Sequence, residues 1–320
     1  MDLNGRNVLV CGGAGFIGSH LVERLRTEKP RNIVVLDNLF LGQLSNLETA
    51  KKLIPGLKLW IRDASNLQAL EEIIKAEKID VVFDLATIPL PASYVHPVWT
   101  YTNNVDIVLN FCELLRRDEF SLYVHTSSSE AYGTAISVPM REDHPMNPTT
   151  TYGASKASQD LAIQAFDRMY DLDYLILRPF NNFGERQNDR MYAAVIPITI
   201  GRILRGERPV RNGDGLQTRD YIYVKDTVDA FVRLSKNDSC RKQIVNVARG
   251  TEVTIGDLIQ LVCKLMNYVG PVEVGPARSN DVRRHYADNT RLKAFIDFNP
   301  SPFEEVLPQV IDYYRKGSLT

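Results

Sequence analysis

The chain of 320 residues predicts an α/β fold, a doubly wound parallel sheet with a smaller mixed α/β lobe towards the C-terminus. Three observations predict it. Short, continuously apolar runs alternate with helical periodicity through the first half, as in strands buried on both faces. A glycine-rich turn follows the first of these strands and opens a helix. After Arg178-Pro179 the alternation becomes irregular, and no Pro/Gly-rich linker marks a clean break.

Taken in order, Val8-Leu9-Val10-Cys11 reads as a strand and Phe16 to Arg26 as a helix. Ile33 to Asp37 and Leu57 to Arg62 are the next strands, followed by Val81 to Ala86 and Leu122 to His125. Val98 to Arg117 has helical periodicity, a second helix carries Tyr152 and Lys156, and Tyr174 to Leu177 is a strand. In the second half the expected elements are a helix from about Tyr192 to Leu204, a turn at Gly213-Asp214-Gly215 and a strand at Tyr221 to Val224. A helix capped by Thr254, with Asp257 three residues on, and a last helix from Phe303 to Arg315 complete the reading. The organisation expected is a dinucleotide domain over 1–178 with a returning segment at about 213–250. A substrate lobe is then formed by about 179–212 and 251–320.

Composition bounds the function. The chain is 44% hydrophobic and 24% charged with a formal net charge of -1, so no basic field favours nucleic acid or a membrane surface. No run approaches the ~18 to 20 apolar residues of a spanning helix, and the N-terminus has no signal-peptide core. Cys11, Cys112, Cys240 and Cys263 lack metal-ligand spacing, as do the histidines, and read as buried thiols of a cytoplasmic protein.

Gly12-Gly13-Ala14-Gly15-Phe16-Ile17-Gly18 supplies the turn in which backbone approaches a pyrophosphate at a helix N-terminus. Asp37 ends the second strand, 19 residues beyond Gly18. A carboxylate there accepts ribose hydroxyls and repels a 2′-phosphate, so NAD is expected rather than NADP; Asn38, in place of a basic residue, agrees. Asp63, at the end of the third strand, is a candidate for the adenine amino group.

Tyr152 and Lys156 lie at i and i+4 on one helix face. A nearby cation stabilises phenolate, which makes the tyrosine a usable base, and Ser128 can hold a substrate hydroxyl beside it. Glu130 offers a second base.

With these residues in this order, the chain resembles the extended short-chain dehydrogenase/reductase family and, within it, the nucleotide-sugar epimerases and dehydratases. The resemblance covers nearly the whole chain and implies a Rossmann-type domain binding NAD. It implies cofactor contacts from the glycine loop (Gly12, Gly15, Phe16, Ile17, Gly18), from Asp37, Asn38, Asp63 and Ala64, and from Leu85, Ala86 and Thr87 at a strand end. Asn104, Thr126, Tyr152 and Lys156 complete that set. Substrate contacts are implied at Ser128, Ser129, Asn181, Val195, Arg211, Arg219 and Arg278, the last within a segment similar to the family's C-terminal signature. Two arginines converging on a diphosphate also suit forked guanidinium geometry.

The reaction so implied is transient oxidation at the sugar C4 hydroxyl, with Tyr152 taking the proton. Glu130 stands where dehydratases carry the base for C5, which favours a 4,6-dehydratase. The alternatives are a C4 epimerase or a 4-dehydrogenase, then a decarboxylase, and last a non-catalytic NAD sensor. Ser129 occupies the position of the acid in thymidine-diphosphoglucose dehydratases, as in the guanosine-diphosphomannose type, and Asn212 replaces an aromatic near the base. His125 reads as packing, while Tyr94 and Trp99 could touch sugar or pack. The helices at Val98 to Arg117 and Tyr152 to Tyr170 match those that form a homodimer interface in the family.

Overall fold

The computed structural model describes residues 1–189, 193–277 and 282–317. The first half runs β1 (Asn7–Cys11), α1 (Phe16–Leu25), β2 (Asn32–Asp37), α2 (Glu48–Leu53), β3 (Lys58–Ile61), α3 (Leu67–Glu77), β4 (Val81–Asp84), α4 (Leu90–Ser93), α5 (Pro97–Arg116), β5 (Leu122–Thr126), α6 (Thr151–Tyr170) and β6 (Tyr174–Pro179). The second half runs β7 (Asn181–Phe183), α7 (Val195–Leu204), β8 (Val210–Asn212), β9 (Thr218–Arg219), β10 (Tyr221–Tyr223), α8 (Val224–Lys236), β11 (Gln243–Val247), β12 (Val253–Thr254), α9 (Ile255–Leu265), β13 (Glu273–Gly275), α10 (Thr290–Phe295) and α11 (Phe303–Gly317).

Seven strands form one parallel sheet in the order β11-β6-β5-β4-β1-β2-β3. The order reverses between β1 and β4, and a crevice opens there at the carboxyl ends of the strands, where ligands bind in such sheets. Side-chain alternation divides the sheet's two faces. Val8 and Val10 of β1 join the core under α1 and α8, while Leu9 and Cys11 join the core under α3, α5 and α6. A third core gathers Phe183, Ile196, Ile200, Leu258 and Phe303 from β7, α7, α9 and α11.

The largest departures from the expected boundaries have local causes. β4 stops at Asp84 rather than Ala86 because the Asp84 carboxylate accepts the Ala86 N–H at 3.1 Å and turns the chain. β6 continues to Pro179 because β11 pairs with it as far as Val247. The helix expected from Tyr192 begins at Val195 within the described residues, and Tyr192 itself lies outside them. Thr254 caps α9 as expected, its hydroxyl accepting the Asp257 N–H at 3.0 Å. All four cysteines are free and buried. Among the described residues no helix is long and apolar enough to cross a membrane.

Candidate active site

The β1–α1 turn forms a cradle that only glycine can line. Gly12 has φ +74°, and a Cβ on it would come within 2.9 Å of the Ala86 nitrogen and the Leu85 carbonyl carbon. Gly18 abuts the same turn, so a Cβ there would overlap the Gly12 carbonyl oxygen and lie 2.8 Å from the Gly13 Cα. No side chain caps the N-terminus of α1 at Gly15, and Phe16, Ile17 and Gly18 face a cavity of about 620 Å³. Unpaired N–H groups and the positive end of the helix therefore meet open space.

A smaller cavity of about 90 Å³ continues from this turn over the ends of β2 and β3. The two share Gly12, Gly15, Leu85 and Thr87 as walls. Asp37, Asn38, Asp63, Ala64 and Ala86 line the smaller one, together with Phe40, Arg62 and Asn103. Burial raises the Asp37 carboxyl above its ordinary range, while the N–H groups of Leu39 (2.8 Å) and Ala14 (2.9 Å) partly offset this. Asp63 accepts from Ser65 and, at 3.1 Å, from Asn38. Those bonds outweigh its partial burial and hold it below the usual range.

Thr126, Ser128, Ser129, Glu130, Tyr152 and Lys156 meet on the wall of the larger cavity. β5 delivers the serine run to it, and Ser128 caps a short 3-10 turn at Ser129–Ala131, accepting the Glu130 N–H at 3.2 Å. α6 starts opposite, capped by the Thr150 hydroxyl on the Gly153 N–H at 3.0 Å. A Cβ on Gly153 would press on the Glu130 carbonyl, so this glycine lets Tyr152 approach Ser128 closely. The Tyr152 phenol is pushed up to about 12, first by burial and further by the Glu130 carboxylate. Hydrogen bonds with Ser128 and Thr87 counter this in part. This reverses the expected direction: the Lys156 ammonium lies 6.0 Å from the ring centroid and does not overcome burial. Lys156 is itself buried and donates to the Thr126 carbonyl at 3.0 Å. Burial lowers it to about 8 against the opposing pull of Asp84 and Asp160.

On the far side, Asn181, Val195, Asn212, Gln217 and Arg219 line the larger cavity. The Asn181 amide nitrogen is buried without a hydrogen-bond partner, and Arg219 Nη1 donates to the carbonyls of Val282 (2.7 Å) and Thr218 (2.8 Å). Arg211 is not on this wall; its side chain lies against Gly215 and Asn212 faces the cavity instead. Arg278 lies outside the described residues. The buried imidazole of His285 donates through Nε2 to the Ser129 carbonyl at 3.1 Å. Burial lowers His285 to about 3, so it stays neutral and braces the turn that carries Ser128 and Glu130.

A sequence profile of the NAD dependent epimerase/dehydratase family matches residues 8–248. The chain belongs to that family. UDP-glucose 4-epimerase of Mycolicibacterium smegmatis is 34% identical over 315 residues, covering 97% of this chain and 99% of the relative. The crystal structure of a Thermotoga maritima UDP-glucose 4-epimerase with UDP-glucose superposes with a TM-score of 0.91 at 30% identity, over 98% of this chain and 99% of that one. A UDP-N-acetylglucosamine 4-epimerase from Methanobrevibacter ruminantium gives 0.90 at 34%, over 98% and 99%.

NAD is the cofactor of this family, and the residues present fit it. A glycine cradle, an uncapped helix N-terminus and a carboxylate at the end of β2 line one continuous cleft. The expected contact at Asn104 differs. Asn104 is fully buried and clamps Ile88, accepting its N–H at 2.7 Å and donating to its carbonyl at 3.1 Å. Its neighbour Asn103 reaches the cavity wall instead. Trp99 meets neither cavity wall and packs edge-on against Phe40 at 5.2 Å, whereas Tyr94 lines the larger cavity. Arg186 and Gln187 also line it, and no local motif in the sequence marks them.

Proposed function

We propose that the chain is a nucleotide-sugar 4-epimerase acting on a UDP-hexose through transient oxidation at C4. The observation that carries this is that Tyr152, Ser128 and Lys156 share the wall of the larger cavity with Thr87, where that cavity joins the dinucleotide cleft. The named activities of the M. smegmatis, T. maritima and M. ruminantium proteins support epimerisation over the dehydration that Glu130 suggests in the sequence. The lead therefore passes to what the sequence ranked second.

In this reading the hexose C4 hydroxyl sits against Ser128 and Tyr152, and the phenol oxygen takes its proton. When bound, NAD supplies a reversible hydride acceptor for the C4 hydrogen and a positive ring that favours phenolate. Burial holds the phenol at about 12, so Tyr152 depends on such added positive charge to act near neutrality. The 620 Å³ cavity leaves the 4-keto sugar room to turn its other face to the dinucleotide before Tyr152 returns the proton. Asn181 and Arg219, which line the far side of the cavity, would hold the diphosphate.

A second reading, 4,6-dehydration, is favoured by Glu130, whose carboxylate stands on the same wall as Tyr152. Incubation with UDP-glucose and UDP-N-acetylglucosamine, followed by product mass and C4 configuration, separates the two. Unchanged mass with inverted C4 is the expected result; loss of one water means dehydratase, and loss of two hydrogens means 4-dehydrogenase. Glu130→Gln is expected to keep epimerisation within about tenfold, whereas a dehydratase base at this position would cost about 10²–10⁴-fold.

The same reading includes a homodimer through α5 and α6, which pack together and leave Val98, Leu109, Leu161 and Met169 exposed. Leu161→Arg is expected to shift the mass found by light scattering from dimer to monomer, because a charge would be buried at the interface centre.

A further inference from the structure

Behind Lys156 lies a buried set of charges that the proposed chemistry leaves unexplained. Asp84 ends β4, His125 lies on β5, Asp160 follows Lys156 by one turn of α6, and Arg178 comes from β6; each is at most 1% exposed. His125 Nδ1 is 3.4 Å from Asp84 Oδ2, and His125 Nε2 is 3.8 Å from Asp160 Oδ1. Arg178 Nε takes the other Asp160 oxygen at 2.8 Å. The Tyr123 hydroxyl donates to Asp84 at 2.8 Å, and the Cys11 thiol adjoins the same carboxylate. Among these groups, His125 Nε2 and Asp160 Oδ1 have no hydrogen-bond partner.

A pair with only a structural task would satisfy both ends, since buried polar atoms are nearly always bonded. Here a carboxylate oxygen is left over, one helical turn from an ammonium whose described bond is to a neutral carbonyl. Two carboxylates (Asp84, Asp160) stand among two basic side chains (Lys156, Arg178), so removing either carboxylate takes away a buried counter-charge. Tyr152, Lys156 and Asp160 follow one another at four-residue steps on one face of α6, which aligns base, cation and counter-charge.

We propose that Asp84 and Asp160, with His125 between them, are positioning residues for catalysis that hold the Lys156 side chain as an ammonium ion behind Tyr152. The inference rests on the reading of Tyr152 as the base. Lys156, faced by both carboxylates, is held at about 8, and losing one moves it lower.

The test uses holoenzyme carrying Asp84→Asn, which keeps the shape and, with its oxygen on the Ala86 N–H, removes the charge together with the acceptor for Tyr123. With UDP-glucose, the alkaline limb of kcat is expected to move down by roughly one pH unit, so kcat falls about fivefold at pH 8 while KM stays within about twofold. Asp84→Glu should restore the limb. Tyr123→Phe, which disturbs the same packing with the charge intact, should leave it in place. An unmoved limb in D84N, or an equal movement in Y123F, overturns the proposal. A second readout needs no sugar: the ultraviolet titration of the Tyr152 phenolate in the NAD-loaded protein, where added positive charge brings the phenol down towards the range in which Lys156 is still charged, taken as the difference between each protein and its Y152F form. In D84N the phenolate should form at higher pH, whereas loss of a neighbouring carboxylate acting directly would lower it. A fall, or no change, overturns the proposal even if no nucleotide sugar is ever turned over, an outcome that would sink the epimerase reading alone. Should D84N not fold, D160N carries the same expectations.

Discussion

Tyr152→Phe is expected to lower kcat by about 10²–10⁴-fold, with KM, cofactor content and melting temperature little changed. The ring fills the same space, so packing against the cavity wall survives. What is lost is the phenol oxygen on the wall beside Ser128 and Thr87, which on the proposed reading takes the substrate proton. Because burial rather than Lys156 dominates the free phenol, its loss cannot be made up by raising the pH: no other group bonded at this point of the wall titrates there. Steady-state turnover from pH 6 to 10 checks this (roughly the window between ordinary histidine and tyrosine values). Wild type should fall as Lys156 deprotonates near 8, and the variant should stay flat and low. Recovery of Y152F activity at high pH would point to another base, with Glu130 the first suspect.

Gly18→Ala is expected to lose the cofactor as well as stability. The added methyl would meet three backbone atoms, the Gly12 oxygen and carbon and the Gly13 Cα, none of which can swing aside as a side chain can. Relief requires α1 to move away from β1, which opens the core around Leu21, Val22 and Val10. Overpacking of this kind costs about 3 kcal/mol and should lower the melting temperature by roughly 4–5 °C. The same displacement carries the α1 N-terminus away from the Gly12 turn, so the purified protein should contain little NAD. Thermal unfolding and the nucleotide released on denaturation measure both effects. Gly56→Ala is the control, since nothing lies within 4 Å of a Cβ there. Its positive φ of +82° strains an alanine, so a loss of about 1–2 kcal/mol is expected there, without an effect on cofactor.

The parts of the site that were legible in the sequence are those set by local spacing. The glycine loop, Asp37 and the Tyr152–Lys156 pair each sit within a strand, turn or helix whose period fixes their direction. The phase of α5 was less legible. Asn103 and Asn104 differ by about 100° around the helix axis, and the resemblance selected the buried one. Arg211 and Asn212 differ in the same way, since neighbours on a strand face opposite sides. The sign of the Tyr152 shift also escaped, because an i+4 lysine is visible in a sequence and the burial that outweighs it is not. His285 lies 156 residues from the Ser129 carbonyl it binds, and no local pattern announces contacts of that range.

That bond has a consequence for how such an enzyme changes over time. A histidine at the edge of the C-terminal lobe sets the height of the turn that carries Ser128 and Glu130, while Asp220 ties down the chain two residues further on through the Ala287 N–H at 3.3 Å. On the proposed reading, recognition and chemistry are thus not separable modules here. A chimera that imports the lobe of a relative to gain a new sugar would also reset the catalytic turn, unless the residues at 285 to 287 travel with the parent turn. Substrate range and rate should therefore drift together, and grafts cut on the lobe side of His285 should lose turnover before they lose binding.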